Sequence, residues 1–207
     1  MSTSTSPRVP TAISRPSGVE EAPYQLIAPD GRFDPSRIAA CDVSDALLRS
    51  IYRGMLRIRL MDERLLTMQR QGRISFYGEA RGQEAAVVGT ASALAAQDYI
   101  VPALREAGAA LYRGLPLSAY IAQIFGNADD LTHGRQMPCH PGSRAARYVT
   151  MSSCIATQLP HATGMAMAAR CLHDDAVIVG YLGDGATSEG DFHVALNFAG
   201  VFRAPVV

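Results

Sequence analysis

From about Ser44 the chain falls into a helical rhythm. Leu47, Leu48, Ile51, Met55, Ile58, Met61, Leu65 and Met68 recur at three- and four-residue steps as far as Gln71, an apolar stripe along an otherwise polar cylinder. Ser44 or Asp42 is placed to cap the start and Gly72 to stop the end. The methionines of the stripe read as core rather than as metal ligands. A second helix, rich in small residues, is expected over Gln83 to Ala96. YIVPAL (99–104) reads as a short buried strand, with Arg105 and Glu106 at its end, and further helices are expected at about 106–113 and 117–126. Residues 127–147 lose all period and are rich in Gly, Pro, His and Arg. A loop of that length in a compact domain is usually functional or disordered. YVTM (148–151) follows as a short strand, then a small-residue helix from Thr157 to Leu172. AVIVGYL (176–182) is the clearest strand, and its near-continuous apolar run suits a parallel strand covered on both faces. Ser188 to Val201 reads as a helix, and PVV opens the next strand. Strands alternating with helices predict an α/β fold, a parallel sheet flanked by helices.

Residues 1–40 have a different texture, with much Ser, Thr and Pro and little periodicity. Two arginines and no acid before Glu20 suit a mitochondrial transit peptide, but five prolines before residue 30 oppose a presequence helix. The expectation is an extended or flexible arm over 1–40, ahead of an α/β domain over 41–207.

Composition narrows the chemistry. The 19 basic and 19 acidic side chains cancel, so there is no electrostatic case for nucleic acid or an anionic membrane as partner. No stretch is long and apolar enough to read as a bilayer span. All 19 basic residues are arginine. Without lysine there is neither a P-loop nor a Schiff base, so phosphate would be held by arginine, a metal or backbone N–H groups. The four cysteines, Cys41, Cys139, Cys154 and Cys171, are scattered and suggest reduced thiols. Cys139 and His140 are adjacent and His133 is near, but the spacing fits no common zinc pattern.

The chemical signal is the turn Gly183-Asp184-Gly185 directly after AVIVGYL. Ligands of open α/β sheets sit at the carboxyl ends of strands. Two glycines let a bulky group approach the backbone, and the following helix start favours an anion. An aspartate beside a phosphate repels it unless a cation lies between them. The arrangement therefore suggests Mg²⁺ on Asp184, with a di- or polyphosphate on the metal. A plain turn with a capping aspartate explains the same residues. A dinucleotide fingerprint fits worse, because position 188 is Ser and not Gly.

GDGATSEGDFHVALNFA resembles the opening of the thiamin diphosphate motif, which closes with an asparagine pair. That closing asparagine is expected beyond Val207; Asn197 comes too early and sits mid-helix. RQGRISFYGEARGQEAAVVGTASAL, REAG, FGNADDL, GRQMPCHPG and MSSCIATQLPHATGMAMAA, in that order from about residue 44 onward, resemble the α subunit of the branched-chain 2-oxoacid dehydrogenase decarboxylating component. The resemblance implies a thiamin diphosphate-binding fold, truncated at its C-terminus. It implies oxidative decarboxylation of branched 2-oxo acids, with the acyl group passing to a lipoyl arm on an acyltransferase core. It implies too that the activating glutamate comes from a β subunit in a heterotetramer of two α and two β chains, and that the catalytic histidine lies in a later loop; lacking its partner and half its metal site, this chain alone is expected to be inactive. The setting would be the cytoplasm of a bacterium, or the mitochondrial matrix in a eukaryote.

Carried over residue by residue, Asp184 matches the Mg²⁺ ligand, and Gly183, Gly185 and Ala186 line the diphosphate site. Arg105 matches an arginine on the cofactor phosphate, a task suited to its fixed charge and forked donors. Leu104 stands where the family usually has tyrosine, removing one polar cofactor contact. Ser153 and Ile155 match residues beside the cofactor, with Ile155 as the wedge under its bent form. Ser152, the Cys154 carbonyl, Thr157 and Gln158 match a potassium site, and Phe76 matches the wall of the acyl pocket. Structural readings stand beside these: Phe76 and Ile155 as core, the serines and Thr157 as turn and cap residues, His161 and His193 as ordinary helix residues. A pyruvate or acetoin dehydrogenase α subunit would differ in pocket size. A non-catalytic anion- or nucleotide-binding module would make Gly-Asp-Gly a plain turn, and Leu104 is the one hint of an inactive paralogue.

Overall fold

The computed structural model describes residues 25–39, 41 and 43–207. The chain divides into two units, 1–44 and 45–207. In the first, Ile27 bridges Phe33 antiparallel, and a short helix α1 (Pro35–Ala39) follows. Asp34 starts it: its carboxylate accepts from the Ser36 hydroxyl and backbone N–H, the usual service of an aspartate at a helix start. The sequence pattern gives no periodicity here. Asp42 lies outside the described residues.

The second unit opens with α2 (Asp45–Arg70), which buries Ile58, Met61, Leu65 and Met68. The earlier part of the stripe is covered less: Leu48 is exposed and Ile51 and Met55 are half-buried. Helix α2 stops where expected. Gly72 turns left-handed at φ 69°, its N–H reaches the Gln69 carbonyl and that of Arg73 reaches Met68, both at 2.9 Å. This paired closure satisfies two carbonyls the helix would otherwise orphan.

Helix α3 (Glu84–Ser92) is shorter than its small-residue pattern suggests. The Asp98 carboxylate takes the Ala95 N–H at 2.8 Å and the Val177 N–H at 2.9 Å, which diverts the chain into β1 (Tyr99–Val101). Helices α4 (Ala107–Tyr112) and α5 (Leu117–Phe125) follow. Residues 127–147 contain no helix or strand. They are held by the buried Asp130, which accepts from the Thr132 and Gly134 N–H groups and the Thr132 hydroxyl at 2.8–2.9 Å. Helix α6 (Gln158–Cys171), β2 (Ile178–Gly180), a short 3₁₀ turn (Asp184–Ser188) and α7 (Gly190–Phe202) complete the unit.

Strands β1 and β2 pair in parallel, Ile100 against Val179. Tyr148 adds a parallel bridge to Ile100 and Val206 one to Ile178. The ladder therefore runs 148, β1, β2, 206 across the sheet, with each N–H passing to the next carbonyl at 2.8–3.0 Å. This is the parallel sheet that the alternating pattern predicts, with regular strands shorter than their apolar runs. Arg113 secures one end: its guanidinium donates to the carbonyls of Ala95, Ala96, Asp98 and Ala146. The main core lies between α2, α3, α4, α5 and the 139–151 segment, and Met61 and Met68 sit in it as expected. Ala162 and Ala166 of α6 pack on Val101 and Ile178 of the sheet.

Candidate active site

Three parallel lines of this sheet end side by side. The chain leaves β1 into residues 102–106, leaves the 148 line into 151–157, and leaves β2 into 181–184. A cleft of about 220 Å³ opens among these ends. Its walls are Ala103 and Leu104 from the first, Ser152, Ser153, Cys154, Ile155, Ala156 and Gln158 from the second, and Gly183, Gly185 and Ala186 from the third. Most of the site residues expected from the sequence are thus gathered in one place.

The β2 end is bare backbone. A Cβ at Gly183 or Gly185 would meet nothing within 4 Å, so both face open space. Asp184 opens the 3₁₀ turn and is exposed. Among the described residues its carboxylate has no hydrogen bond or ion pair; only its backbone carbonyl is used, by the Thr187 hydroxyl at 2.6 Å. The aspartate therefore does not cap the helix as a plain-turn reading requires.

The 152–158 turn is tight. Cys154 N–H donates to Ser152 Oγ at 3.3 Å, and the Cys154 carbonyl accepts from Thr157 N–H at 3.3 Å. Ala156 turns left-handed at φ 67° and is fully buried. Gln158 is buried, and its Nε2 donates to the Tyr181 carbonyl at 2.7 Å, tying this turn to the β2 end. Thr157 is not on the cleft wall. Ile155 is 65% exposed, so its side chain is not the core residue of the structural reading. An isoleucine left open on the wall of a cleft is an apolar surface for a ligand.

Leu104 faces the same cleft and packs back on the main core, offering no polar group. Arg105 does not line the cleft; its Nη1 donates to the Glu79 carbonyl. Glu106 is buried beneath this turn, and Arg105 N–H reaches its Oε2 at 3.1 Å. Burial pushes the Glu106 carboxyl up, against the pull of backbone hydrogen bonds from Glu106, Ala103, Arg105 and Leu104. Phe76 lies off the cleft wall, half-buried against the main core. Its loop is fixed by Asp62 of α2, which accepts from the Tyr77 hydroxyl at 2.5 Å and the Ala80 N–H at 2.9 Å. Burial holds Asp62 above the ordinary carboxylate range despite those two bonds.

Sequence reasoning missed His140. It is buried, its ring sits 6.4 Å from that of Phe76, and its Nε2 meets the Ser153 hydroxyl. The signal was a Cys-His pair inside a long aperiodic loop, weighed only as a zinc site. Among the described residues no group of three or more His, Cys, Asp or Glu gathers to hold a metal, and His140 spends both ring nitrogens on protein partners. His161 and His193 are exposed helix positions.

The residues fit a diphosphate cofactor held through a cation: open glycine backbone, a carboxylate beside it that is unpartnered among the described residues, and an exposed apolar side chain on the same cleft. A family model described as dehydrogenase E1 component matches residues 52–207. The chain is 48% identical over 165 residues to 2-oxoisovalerate dehydrogenase subunit alpha 2, mitochondrial, of Arabidopsis thaliana, covering 80% of this chain and 35% of that one. The Caenorhabditis elegans subunit alpha is 47% identical over 76% of this chain and 37% of its own. The Bos taurus subunit alpha is 46% identical over 75% and 34%. The chain thus spans about a third of the length of these curated relatives.

Proposed function

The chain belongs to the dehydrogenase E1 component family, and from that premise we propose that it serves as the α subunit of a thiamin diphosphate-dependent branched-chain 2-oxoacid dehydrogenase. The observation that carries the reading is the shared cleft at three strand ends, with open glycines and an exposed Ile155 on its walls, and Asp184 between those glycines with a carboxylate unpartnered among the described residues. Bound there, thiamin diphosphate would supply the carbanion chemistry that decarboxylates 2-oxo acids.

This chain's own residues bind and orient. Asp184 would hold Mg²⁺, which accepts an all-oxygen shell completed by phosphate and water. Gly183, Gly185 and Ala186 would border the diphosphate. Arg105 needs one donor for Glu79 and keeps four for a phosphate. Ile155 would brace the cofactor's bend, and Ser153 would meet one of its polar edges. Ser152, the Cys154 carbonyl, Thr157 and Gln158 would hold K⁺, stiffening a turn that already closes on itself. Phe76 would border the aliphatic tail of the acid. The names of the relatives, each a 2-oxoisovalerate dehydrogenase alpha subunit, favour a branched acid over pyruvate. A β subunit and a lipoyl acyltransferase core would complete the assembly, and turnover is expected only there. It would work in the bacterial cytoplasm, or in the mitochondrial matrix, the relatives' names being mitochondrial.

The test is decarboxylation of 3-methyl-2-oxobutanoate and of pyruvate by the full-length subunit co-expressed with its β partner, with and without thiamin diphosphate and Mg²⁺. Cofactor-dependent turnover favouring the branched acid is expected. Asp184→Ala should abolish Mg²⁺-dependent cofactor binding while the assembly stays folded, since the carboxylate has no partner among the described residues to lose. Unchanged binding in that variant would return Asp184 to the role of an ordinary turn residue.

A further inference from the structure

His140 is 2% exposed, and its Nδ1 lies 2.9 Å from the Pro138 carbonyl oxygen. A carbonyl only accepts, so Nδ1 carries the ring proton; in the neutral ring Nε2 is then bare and can only accept. Its partner is the Ser153 hydroxyl. The one proton available to that contact is the serine's own, so Ser153 donates to His140.

The contact is built from both sides. Cys139 turns left-handed at φ 65° and sends its Sγ toward the Phe76 carbonyl at 3.5 Å. Met151 N–H donates to the Pro141 carbonyl at 3.1 Å. Gly142 lies against Thr150 so closely that a Cβ would stand 3.0 Å from its Cα. The histidine loop is thus clamped to the segment that ends in Ser153.

Ser153 is itself exposed and lines the cleft. With its proton committed inward, its oxygen offers the cleft lone pairs only. Whatever polar group meets it must donate. On thiamin diphosphate the diphosphate oxygens and the ring nitrogens of the neutral pyrimidine accept; the exocyclic amino group donates. The geometry points to His140 as a positioning residue that fixes Ser153 as a hydrogen-bond acceptor, directed at the cofactor's exocyclic amino group and away from its diphosphate. This rests on the cofactor reading proposed above.

The experiment uses the assembled complex with its β partner and measures dissociation constants by calorimetry, for thiamin diphosphate and for the analogue with oxygen in place of the exocyclic amino group. The wild type should prefer the amino form by about tenfold, the worth of one good hydrogen bond lost and one acceptor left facing another. Ser153→Ala should reduce that preference to about twofold or less. His140→Phe, which keeps a ring beside Phe76 and removes both nitrogens, should reduce it equally, and the double variant should go no further than Ser153→Ala alone. A purely structural histidine would weaken both ligands equally and leave the ratio unmoved, which overturns the assignment. Full discrimination surviving in Ser153→Ala overturns it too, whether or not the histidine variant folds. Failure of the wild type to bind either ligand sinks the cofactor reading itself, and the pairing of His140 with Ser153 as its amino-group acceptor falls with it. Binding of both ligands with equal affinity by the wild type leaves the cofactor reading standing and sinks only that pairing.

Discussion

Gly108 sits where α4 meets α2, in the turn of helix behind Leu104 and Arg105, and it tolerates no side chain. A Cβ there would stand 2.3 Å from Ile58 Cδ1, 2.9 Å from Ile58 Cγ1 and 3.4 Å from Val87 Cγ1. Ile58 is 1% exposed and Val87 3%, so neither has room to retreat. Two effects of Gly108→Ala oppose each other. Alanine gains about 1 kcal/mol over glycine in a helix. Overpacking a closed core costs about 1–3 kcal/mol, and contact with two Ile58 atoms puts this site at the upper end. The net expectation is a loss of about 1–2 kcal/mol. A graded rescue isolates the cause. Ile58→Val removes the atom at 2.3 Å and keeps the one at 2.9 Å, so it should recover about half of the loss. Ile58→Ala removes both, and against that background Gly108→Ala should become stabilising by about 1 kcal/mol, because only the helix preference remains and the new methyl fills part of the cavity. Equilibrium urea unfolding reads each variant through its midpoint at constant slope. A Gly108→Ala loss of the same size in all three backgrounds would refute the contact as its cause.

Glu106 supplies a pH test. Its carboxyl is raised in the folded chain by burial, the larger cause, against its backbone hydrogen bonds. The folded state therefore holds the proton over a window in which the unfolded chain has released it. Stability falls as pH rises from the unfolded value of about 4.3 through the folded one, and that loss persists above it. Glu106→Gln keeps an oxygen for the backbone N–H groups and removes the charge, so thermal unfolding should show equal or higher stability at pH 7–8 and a flatter slope through the window; a steeper slope would contradict the assignment. His173 closes α6 in the left-handed region at φ 53°, its N–H reaching the Arg170 carbonyl at 3.2 Å and that of Asp174 reaching Ala169 at 2.9 Å. His173→Gly should stabilise by about 0.5–1 kcal/mol by relieving the Cβ clash of that conformation, and a lowered melting temperature would show that the imidazole carries an interaction worth more than the strain.

Elements with a strong local period were legible in the sequence. Helix α2 begins and ends within a residue of its pattern because a stripe, a glycine stop and 26 residues of length all act locally. Its early apolar positions were overread: a stripe says which face is apolar, and burial depends on what the rest of the chain brings to it. Leu48 is 46% exposed. Helix α3 was overlong for a related reason, since the Asp98 carboxylate that captures Ala95 N–H also holds Val177, 79 residues away from it. The 127–147 loop could be read as a loop but not as an ordered one, because its order rests on the buried Asp130, whose sequence context is indistinguishable from a solvated turn, and on bonds to distant residues such as that from Gln123 Nε2 to the Met137 carbonyl at 2.6 Å.

The same division runs through the candidate site. Each strand end announces itself, as GDG, MSSCIAT or YIVPALRE, because a strand followed by a glycine or serine turn is a short-range signal. What fixes the three ends is a small set of side-chain hydrogen bonds that no periodicity encodes. Gln158 reaches from the second end to the Tyr181 carbonyl of the third. Arg105 of the first reaches the Glu79 carbonyl in the loop that carries Phe76. His140 reaches Ser153 from a loop that also touches that phenylalanine. Each bond fixes one end relative to a neighbour rather than to its own strand. A site held this way keeps its ligand-facing groups, Asp184 and the two glycines beside it, free of structural duty, which is why their loss should cost binding and leave the fold intact. The residues behind them, Glu106, Asp62 and His140, carry the opposite expectation: none needs to touch a ligand, and each sets where a ligand-facing group stands.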